Sequence, residues 1–124
     1  MNREQVATLI VKSFYAVYNE LGYGFLERNY ENALVLELRS HGLIVEQQKA
    51  IEVFYKEQLI GVYYADLLVE NCIIVELKAA EHLVLEHEAQ LLNYLKATNI
   101  NLGFVLNFGR KPEVKRKIYE TARR

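Results

Sequence analysis

Several features that would place this 124-residue chain in a familiar class are scarce or missing. Its one cysteine, Cys72, cannot form an intramolecular disulfide and has no second thiol with which to share a zinc ion. No run approaches the roughly 20 uncharged apolar residues of a membrane span, and the first residues lack a signal-peptide cleavage pattern. Gly22 and Gly24 are not followed by the Gly and Lys of a phosphate-binding loop. We therefore expect one cytoplasmic domain over residues 1–124, without membrane contact, with 52% hydrophobic residues to build its core.

Basic residues are concentrated at the C-terminal end. Residues 110–124 contain seven lysines and arginines and two glutamates, so this stretch carries about +5 and the rest of the chain about −6. Basic clusters bind nucleic acid by releasing counterions from its phosphates, whereas a merely solvated tail has the same composition. The candidate nucleic-acid contacts in this stretch are Arg110, Lys111, Lys115, Arg116 and Lys117, and the other two basic residues are Arg123 and Arg124.

The first forty residues have the apolar spacing of two helices. Over residues 4–21 apolar side chains recur every three or four positions, which predicts a helix with one buried stripe. Gly22 and Gly24 then allow the chain to turn. A second helix is predicted from about residue 26 to residue 40, with Tyr30, Leu34 and Leu38 facing inward.

The period changes to two in the middle of the chain, which predicts strands near residues 51–55, 59–69 and 73–79. The second and third are apolar on both faces, as in central strands covered by helices. Good helix formers over 81–98 predict a third helix, and 102–108 predicts a fourth strand, parallel to the third through a right-handed crossover. After Pro112 we expect a loop and a short C-terminal helix or tail. The predicted fold class is α/β, with a mixed four-stranded sheet flanked by helices.

Two charges interrupt the most hydrophobic predicted strand. In IIVELKA, residues 73–79, Glu76 and Lys78 lie among core residues, although burying a charge costs on the order of several kcal/mol. Side chains alternate across a strand, so the two point to the same face. A three-residue loop at 70–72 would pair Val69 with Ile73 and hence Asp66 with Glu76, whereas a two-residue loop would turn Asp66 away. Asn71 tolerates the left-handed backbone of the longer loop, which favours the first register.

Neighbouring carboxylates repel one another and need a positive partner. Hard oxygen ligands on rigid strands suit Mg²⁺, which commonly binds one or two carboxylates together with water and phosphate. Asp66, Glu76 and Lys78 therefore form a candidate site for phosphodiester hydrolysis. The alternative is a structural salt bridge between Glu76 and Lys78.

The two predicted helices nearest the strands also carry polar side chains on their apolar stripes. Glu27 shares a face with Tyr30 and Leu34, and His87, Gln90 and Tyr94 share another. Gln90 can hydrogen-bond to a lysine, a water or a phosphate. Tyr63 and Tyr64, beside Asp66, are candidates for stacking on a base.

These motifs, in this order, resemble a known family. GFLERNY matches the GxxExxY signature through Gly24, Glu27 and Tyr30, and YYADLLVE, IIVELKA, HEAQLLNYLKAT and LGFVLNFG follow it. Over residues 21–117 the chain resembles the bacterial GxxExxY family, which is grouped with PD-(D/E)XK nuclease-like proteins. Ala65 stands at the position of the motif's proline.

The resemblance implies an αβββαβ core like that of restriction endonucleases, with one extra N-terminal helix. It implies that Asp66 and Glu76 bind the metal, that Glu27 is a further acidic ligand, and that Lys78 is the lysine of the ExK motif. Gln90 and Tyr94 are similar to the Q-x3-Y element of some such nucleases. Tyr30 and Tyr94 are included among the candidate nucleic-acid contacts.

Two functions are consistent with these residues. The first is a nuclease, dependent on Mg²⁺ or Mn²⁺, that hydrolyses DNA or, as a second choice, RNA, with Glu27, Asp66, Glu76, Lys78 and Gln90 as its catalytic residues. The second is a non-catalytic module that keeps the fold and binds nucleic acid or a protein. Because so small a chain offers little surface to grip a duplex, a homodimer or a partner protein is also expected.

Overall fold

The computed structural model of the protein describes residues 1–119, so Arg123 and Arg124 at the end of the basic stretch lie outside the described residues. Within residues 1–119 there are three helices and five strands. In chain order they are α1 (Arg3–Leu21), α2 (Glu27–Ser40), β1 (Val45–Tyr55), β2 (Gln58–Val69), β3 (Ile73–Lys78), α3 (Leu85–Ala97), β4 (Leu102–Phe108) and β5 (Pro112–Ile118). Both N-terminal helices agree with the predicted spans to within one residue. None of the helices in this described part of the chain is long and apolar enough to cross a membrane.

The strands form one mixed sheet in the order β1-β2-β3-β4-β5. Only β3 and β4 are parallel, as the strand–helix–strand order predicted, and the other neighbours are antiparallel. Val69 pairs with Ile73 and Leu68 with Ile74, which confirms the three-residue loop at 70–72. Glu70 and Asn71 both have positive φ there, at 51° and 54°.

A fifth strand replaces the predicted C-terminal helix or tail, and the prediction of four strands was wrong by this one. β5 pairs with β4 from Phe108–Pro112 to Leu102–Ile118. Proline is tolerated at the first position of an edge strand, and the charged residues that suggested a solvated tail are those that edge strands favour. The strand therefore forms because the exposed edge of β4 offers unpaired backbone groups, which the local sequence does not reveal.

Two hydrophobic clusters cover opposite faces of the sheet. One joins α1 and α2 to the sheet, and its central residues include Phe14, Tyr30, Leu34 and Phe108. The smaller one lies beneath α3 and includes Ile74, Leu91 and Val105. The Gly103 backbone lets α3 approach closely, since a Cβ at that position would lie 2.6 Å from a Leu91 methyl carbon.

The β1–β2 pair is distorted midway along its length. Val45 packs in the α1–α2 cluster and Ile51 in the α3 cluster, although residues six apart in a regular strand share a face. Between them Gln48 has φ +53°, and it forms no ladder pair with the opposite residue, Asp66. Such irregularities bend strands and re-aim side chains, and this one lies at the candidate site.

Beyond the distortion, β1 and β2 continue as a two-stranded ribbon. The first half of β2 pairs with β1 but not with β3, and its large apolar side chains are exposed. The expectation that β2 is covered along its whole length was therefore wrong. Only residues 67–69 pair with both neighbouring strands, because β3 has six residues and cannot pair with all twelve of β2.

The third helix begins at Leu85 instead of residue 81. The segment before it is held by tertiary contacts, since the Leu83 N–H donates to the Glu113 carboxylate at 3.2 Å. The His87 ring nitrogen Nδ1 accepts from the Val84 N–H at 3.2 Å and so helps to cap the first turn. Good helix formers in residues 81–84 are therefore overridden by contacts with β5.

Candidate active site

Asp66 and Glu76 come together where β2 separates from β3. The Asp66 N–H donates to Glu76 Oε2 at 2.6 Å, and the Leu77 N–H donates to Asp66 Oδ2 at 2.8 Å. Each carboxylate thus takes a backbone hydrogen that has no ladder partner at this point. The prediction that these two acids lie side by side is confirmed, and it followed from the loop register.

The pair is poorly solvated. Burial and the adjacent Asp66 carboxylate raise the pKa of Glu76 to about 8, against an ordinary value of 4.5. Burial also raises the pKa of Asp66, and Glu31 adds to this effect. Desolvation and like charge both favour the neutral acid, so a cation placed here would be strongly attracted to the ionised pair.

Lys78 is directed along the same face towards α3. Its Nζ donates to Gln90 Oε1 at 3.4 Å, and Gln90 Nε2 in turn donates to the Tyr94 hydroxyl at 3.0 Å. Within residues 1–119 no ion pair joins Lys78 to Glu76, so the structural salt bridge considered from the sequence is not formed. The ammonium remains half-buried beside two carboxylates and is oriented by a neutral amide.

Glu27 is the first residue of α2, where a carboxylate is favoured by the helix dipole. Its side chain is exposed and does not share the buried stripe of Tyr30 and Leu34, which corrects the sequence interpretation. Partial desolvation raises the pKa of its carboxyl, while Lys78 and a hydrogen bond from the Ala79 backbone oppose the rise. Glu27 therefore lies at the end of β3, close enough to sense both Lys78 and Asp66.

Sequence reasoning missed a second polar layer beneath Asp66. Glu31 is buried, and its two carboxylate oxygens accept from Gln47 Nε2 at 2.9 Å and Gln48 Nε2 at 3.0 Å. Gln48 Nε2 also lies 3.4 Å from Asp66 Oδ1. The available signal was that Glu31 follows Glu27 by four residues, one helical turn further along the same helix.

A buried asparagine holds the chain just after Lys78. Asn107 Oδ1 accepts from the Ala80 N–H at 2.9 Å, and its Nδ2 donates to the Ala80 carbonyl at 3.0 Å and to Glu113 at 2.9 Å. Because Lys78 pairs with Asn107 in the parallel ladder, these bonds fasten the end of β3. They also position Ala79, whose backbone contacts Glu27.

The two tyrosines predicted to contact nucleic acid are largely inaccessible. Tyr30 has no exposed surface and stacks on Phe108 with ring centroids 4.3 Å apart, while its hydroxyl donates to the Gly22 carbonyl at 2.6 Å. The prediction that Tyr30 contacts nucleic acid was therefore wrong, since this side chain closes the loop between α1 and α2. Tyr94 is 5% exposed and serves chiefly to position Gln90.

Three of the five predicted basic contacts within the described chain are paired with acids. Arg116 binds Glu4 at 2.7 Å, Lys117 binds Glu88 at 2.6 Å, and Arg110 lies 3.4 Å from Glu81. Because side chains alternate on β5, Arg116 lies on the α1 side of the sheet and Lys117 on the α3 side. Among residues 1–119, Lys111 and Lys115 make no ion pair. The five basic residues at positions 110–117 therefore do not form one continuous patch.

The carboxylates suit a hard divalent cation by their chemistry. Asp66 Oδ1 and Glu76 Oε1 are the oxygens that do not accept backbone hydrogens, and hard oxygen donors are what Mg²⁺ requires. In the part of the chain that the structure describes, no three His, Cys, Asp or Glu side chains converge as a ready-made metal cluster. The donor set thus consists of the Asp66–Glu76 pair, with Glu27 as a neighbouring negative charge.

The mixed sheet, with two carboxylates and a lysine where β2 separates from β3, is consistent with a nuclease-like α/β fold. A family model of the PD-(D/E)XK nuclease superfamily matches residues 4–117, which is most of the chain. The chain belongs to this superfamily. No curated protein and no solved structure gives a match.

Proposed function

We propose that this protein is a metal-dependent nuclease of the GxxExxY group that hydrolyses phosphodiester bonds in DNA or RNA with Mg²⁺ or Mn²⁺. The observation that carries the proposal is the Asp66–Glu76 pair, whose Glu76 carboxyl has a pKa raised to about 8 by burial and by its neighbour. A fold has no structural need for two adjacent, poorly solvated acids. Perturbed carboxylates of this kind are typical of functional sites.

Each residue has a role that follows from its position. Asp66 and Glu76 would hold the cation, and Glu27 adds negative charge at its side. A bound Mg²⁺ supplies Lewis-acid polarisation of the phosphate and of water. Lys78 would orient the attacking water and offset negative charge on the phosphoryl oxygens. Gln90 would keep the Lys78 ammonium in place, since its amide oxygen already accepts from Nζ.

The test is cleavage of plasmid, single-stranded DNA and RNA in Mg²⁺ or Mn²⁺. We expect Asp66→Asn and Lys78→Ala each to reduce cleavage by about 100-fold or more, as is usual for groups that stabilise developing charge. Lys12→Ala is the matched control, because Lys12 is exposed on α1 and remote from the site. Equal activity in the wild type, Asp66→Asn and Lys78→Ala would contradict the proposal.

The non-catalytic alternative predicts a different result. It requires salt-sensitive nucleic-acid binding by the basic residues, with no heat of Mg²⁺ or Mn²⁺ binding in calorimetry. Deleting residues 110–124 is not a suitable test, because it would remove β5 and expose the edge of β4. Lys111→Ser with Lys115→Ser is preferable, since both side chains are exposed.

A further inference from the structure

A cavity of about 740 Å³ lies between the β1–β2 ribbon and α3. Phe54 and Tyr63 line it from the ribbon, and Gln90, Asn93 and Tyr94 line it from the helix. The rings of Tyr63 and Tyr94 are 6.2 Å apart, and Tyr63 is 53% exposed. A volume of several hundred Å³ with aromatic walls and a few amides is typical of sites for small planar ligands.

This cavity adjoins the candidate active site through Gln90. Gln90 lines the cavity and accepts from Lys78, so one side chain borders both. Tyr63 precedes Asp66 by three residues on β2, which corresponds to roughly 10 Å at about 3.3 Å per residue. A group held against Tyr63 would therefore be a near neighbour of a phosphate bound at Asp66 and Lys78.

The lining chemistry distinguishes between the parts of a nucleotide. The exposed carboxylates of Glu52 and Glu86 also line the cavity, with Lys96 as its one lining cation among residues 1–119. Two acids disfavour a phosphate inside, whereas an uncharged base is not repelled. Tyr63 offers a ring for stacking, and the exposed amide of Asn93 can both donate to and accept from a base edge.

We propose that this cavity binds an unpaired nucleobase next to the scissile phosphate, which makes single-stranded nucleic acid the preferred substrate. The inference rests on the proposed nuclease function. In a duplex both faces of a base are stacked and its edge is paired, so a base must leave the stack to reach Tyr63. Stacking on an aromatic ring recovers free energy for any base, and it acts equally on DNA and RNA.

The experiment measures binding separately from cleavage. Fluorescence anisotropy would compare a labelled 12-nucleotide strand with a strand of equal charge whose central residues are abasic, in EDTA and again in Ca²⁺. We expect the intact strand to bind wild type about tenfold more tightly, which is the effect of one stacked base. Tyr63→Ala should abolish this ratio and Tyr63→Phe should retain it. Tyr55→Ala, another exposed tyrosine on the ribbon but outside the cavity lining, should also retain it.

The outcomes separate this inference from the nuclease proposal. An intact-to-abasic ratio that depends on Tyr63, without cleavage of any substrate, would support the base site and contradict the nuclease function. Cleavage of duplex that depends on Asp66, with no preference for intact over abasic strands, would overturn the base site alone. Comparing the affinities of a DNA strand and an RNA strand of the same sequence would show which sugar the protein prefers. A change of oligomeric state in Tyr63→Ala, with unchanged binding, would show that a second copy covers this surface and would also overturn the proposal.

Discussion

Asp66 donates its backbone N–H to the Glu76 carboxylate at 2.6 Å, at the residue where strand β2 parts from strand β3. Two side-chain acceptors thereby replace the ladder bonds that a longer strand pair would have made. The arrangement keeps the two acids together without a cation and gives them hydrogen bonds that hold their orientation. The electrostatic cost of holding two acids side by side should appear in the pH dependence of both stability and metal binding.

Glu76→Gln should stabilise the metal-free protein at alkaline pH. The folded-state pKa of Glu76, about 8, lies above the ordinary 4.5, so the folded state holds a proton that the unfolded state releases. The unfolding free energy of wild type should therefore fall as pH rises from about 4.5 through 8, on the order of a few kcal/mol in total. Glu76→Gln has no proton to release at this position, so its stability should not show this fall. Urea unfolding of both proteins in EDTA between pH 5 and pH 9 would measure this difference.

The exposed Glu20 supplies the control for this comparison. Glu20→Gln should follow the pH dependence of wild type. If wild type and Glu76→Gln keep a constant difference in unfolding free energy across the range, Glu76 is not a high-pKa acid.

Metal affinity should rise with pH over the same interval. A cation binds the ionised carboxylates, so at pH 6 it must displace the proton from Glu76, whereas at pH 9 that proton has already left. Calorimetry with Mn²⁺ in two buffers of different ionisation enthalpy would report both the affinity and the proton released. Asp66→Asn should bind much more weakly at every pH, and pH-independent binding without proton release would contradict the site.

Asn107→Leu should destabilise the protein by about 2–4 kcal/mol, because it leaves the N–H and C=O of Ala80 without their partners in a buried place. The same substitution should lower cleavage, since it frees the end of β3 that carries Lys78. Asn19→Ala, at an exposed position of α1, should change stability by less than about 0.5 kcal/mol. Thermal and urea unfolding measure the first effect and the plasmid assay the second.

Glycine should be more favourable than alanine for stability at position 48 of β1 and less favourable at position 50. At Gln48, with φ +53°, Gln48→Gly should be more stable than Gln48→Ala by about 1 kcal/mol, because a Cβ is unfavourable in the left-handed region. At Ala50, two residues further on, Ala50→Gly should be destabilising by about 0.5–1 kcal/mol. Equal stability of Gln48→Gly and Gln48→Ala would mean that the backbone beside Asp66 is not strained.

Local patterns were sufficient for much of the fold. The buried stripes of the two N-terminal helices, the loop at 70–72 and the parallel crossover follow from spacing, turn residues and handedness, all of which act over a few neighbours. The same reasoning placed Asp66 beside Glu76, since a loop of known length sets the register of the strands it joins. The roles of Glu27, Lys78 and Gln90 in catalysis stay predictions.

Other features depended on contacts that the local pattern of residues does not show. Tyr30 was predicted to face inward and was also a candidate contact for nucleic acid, and its contacts decide between the two, since its hydroxyl donates to the backbone at Gly22 and its ring stacks on Phe108. Residues 112–118 looked like a charged tail, yet they complete the sheet because β4 has a free edge. Neither partner can be recognised from the local composition.

The chain's own pattern of apolar and charged residues was thus enough to specify the helices, the central strands and the paired acids, because each depends on contacts between near neighbours or across a short loop. Three-dimensional packing alone decided the Glu31–Gln48 layer and the cavity beside Tyr63, whereas the fifth strand forms across the short loop at 109–111 because β4 offers it an unpaired edge. The first two join segments that are distant in the sequence, since Gln48 follows Glu31 by 17 residues and the cavity joins residues 52–63 to residues 86–97, and no local pattern reveals which segments share a buried space.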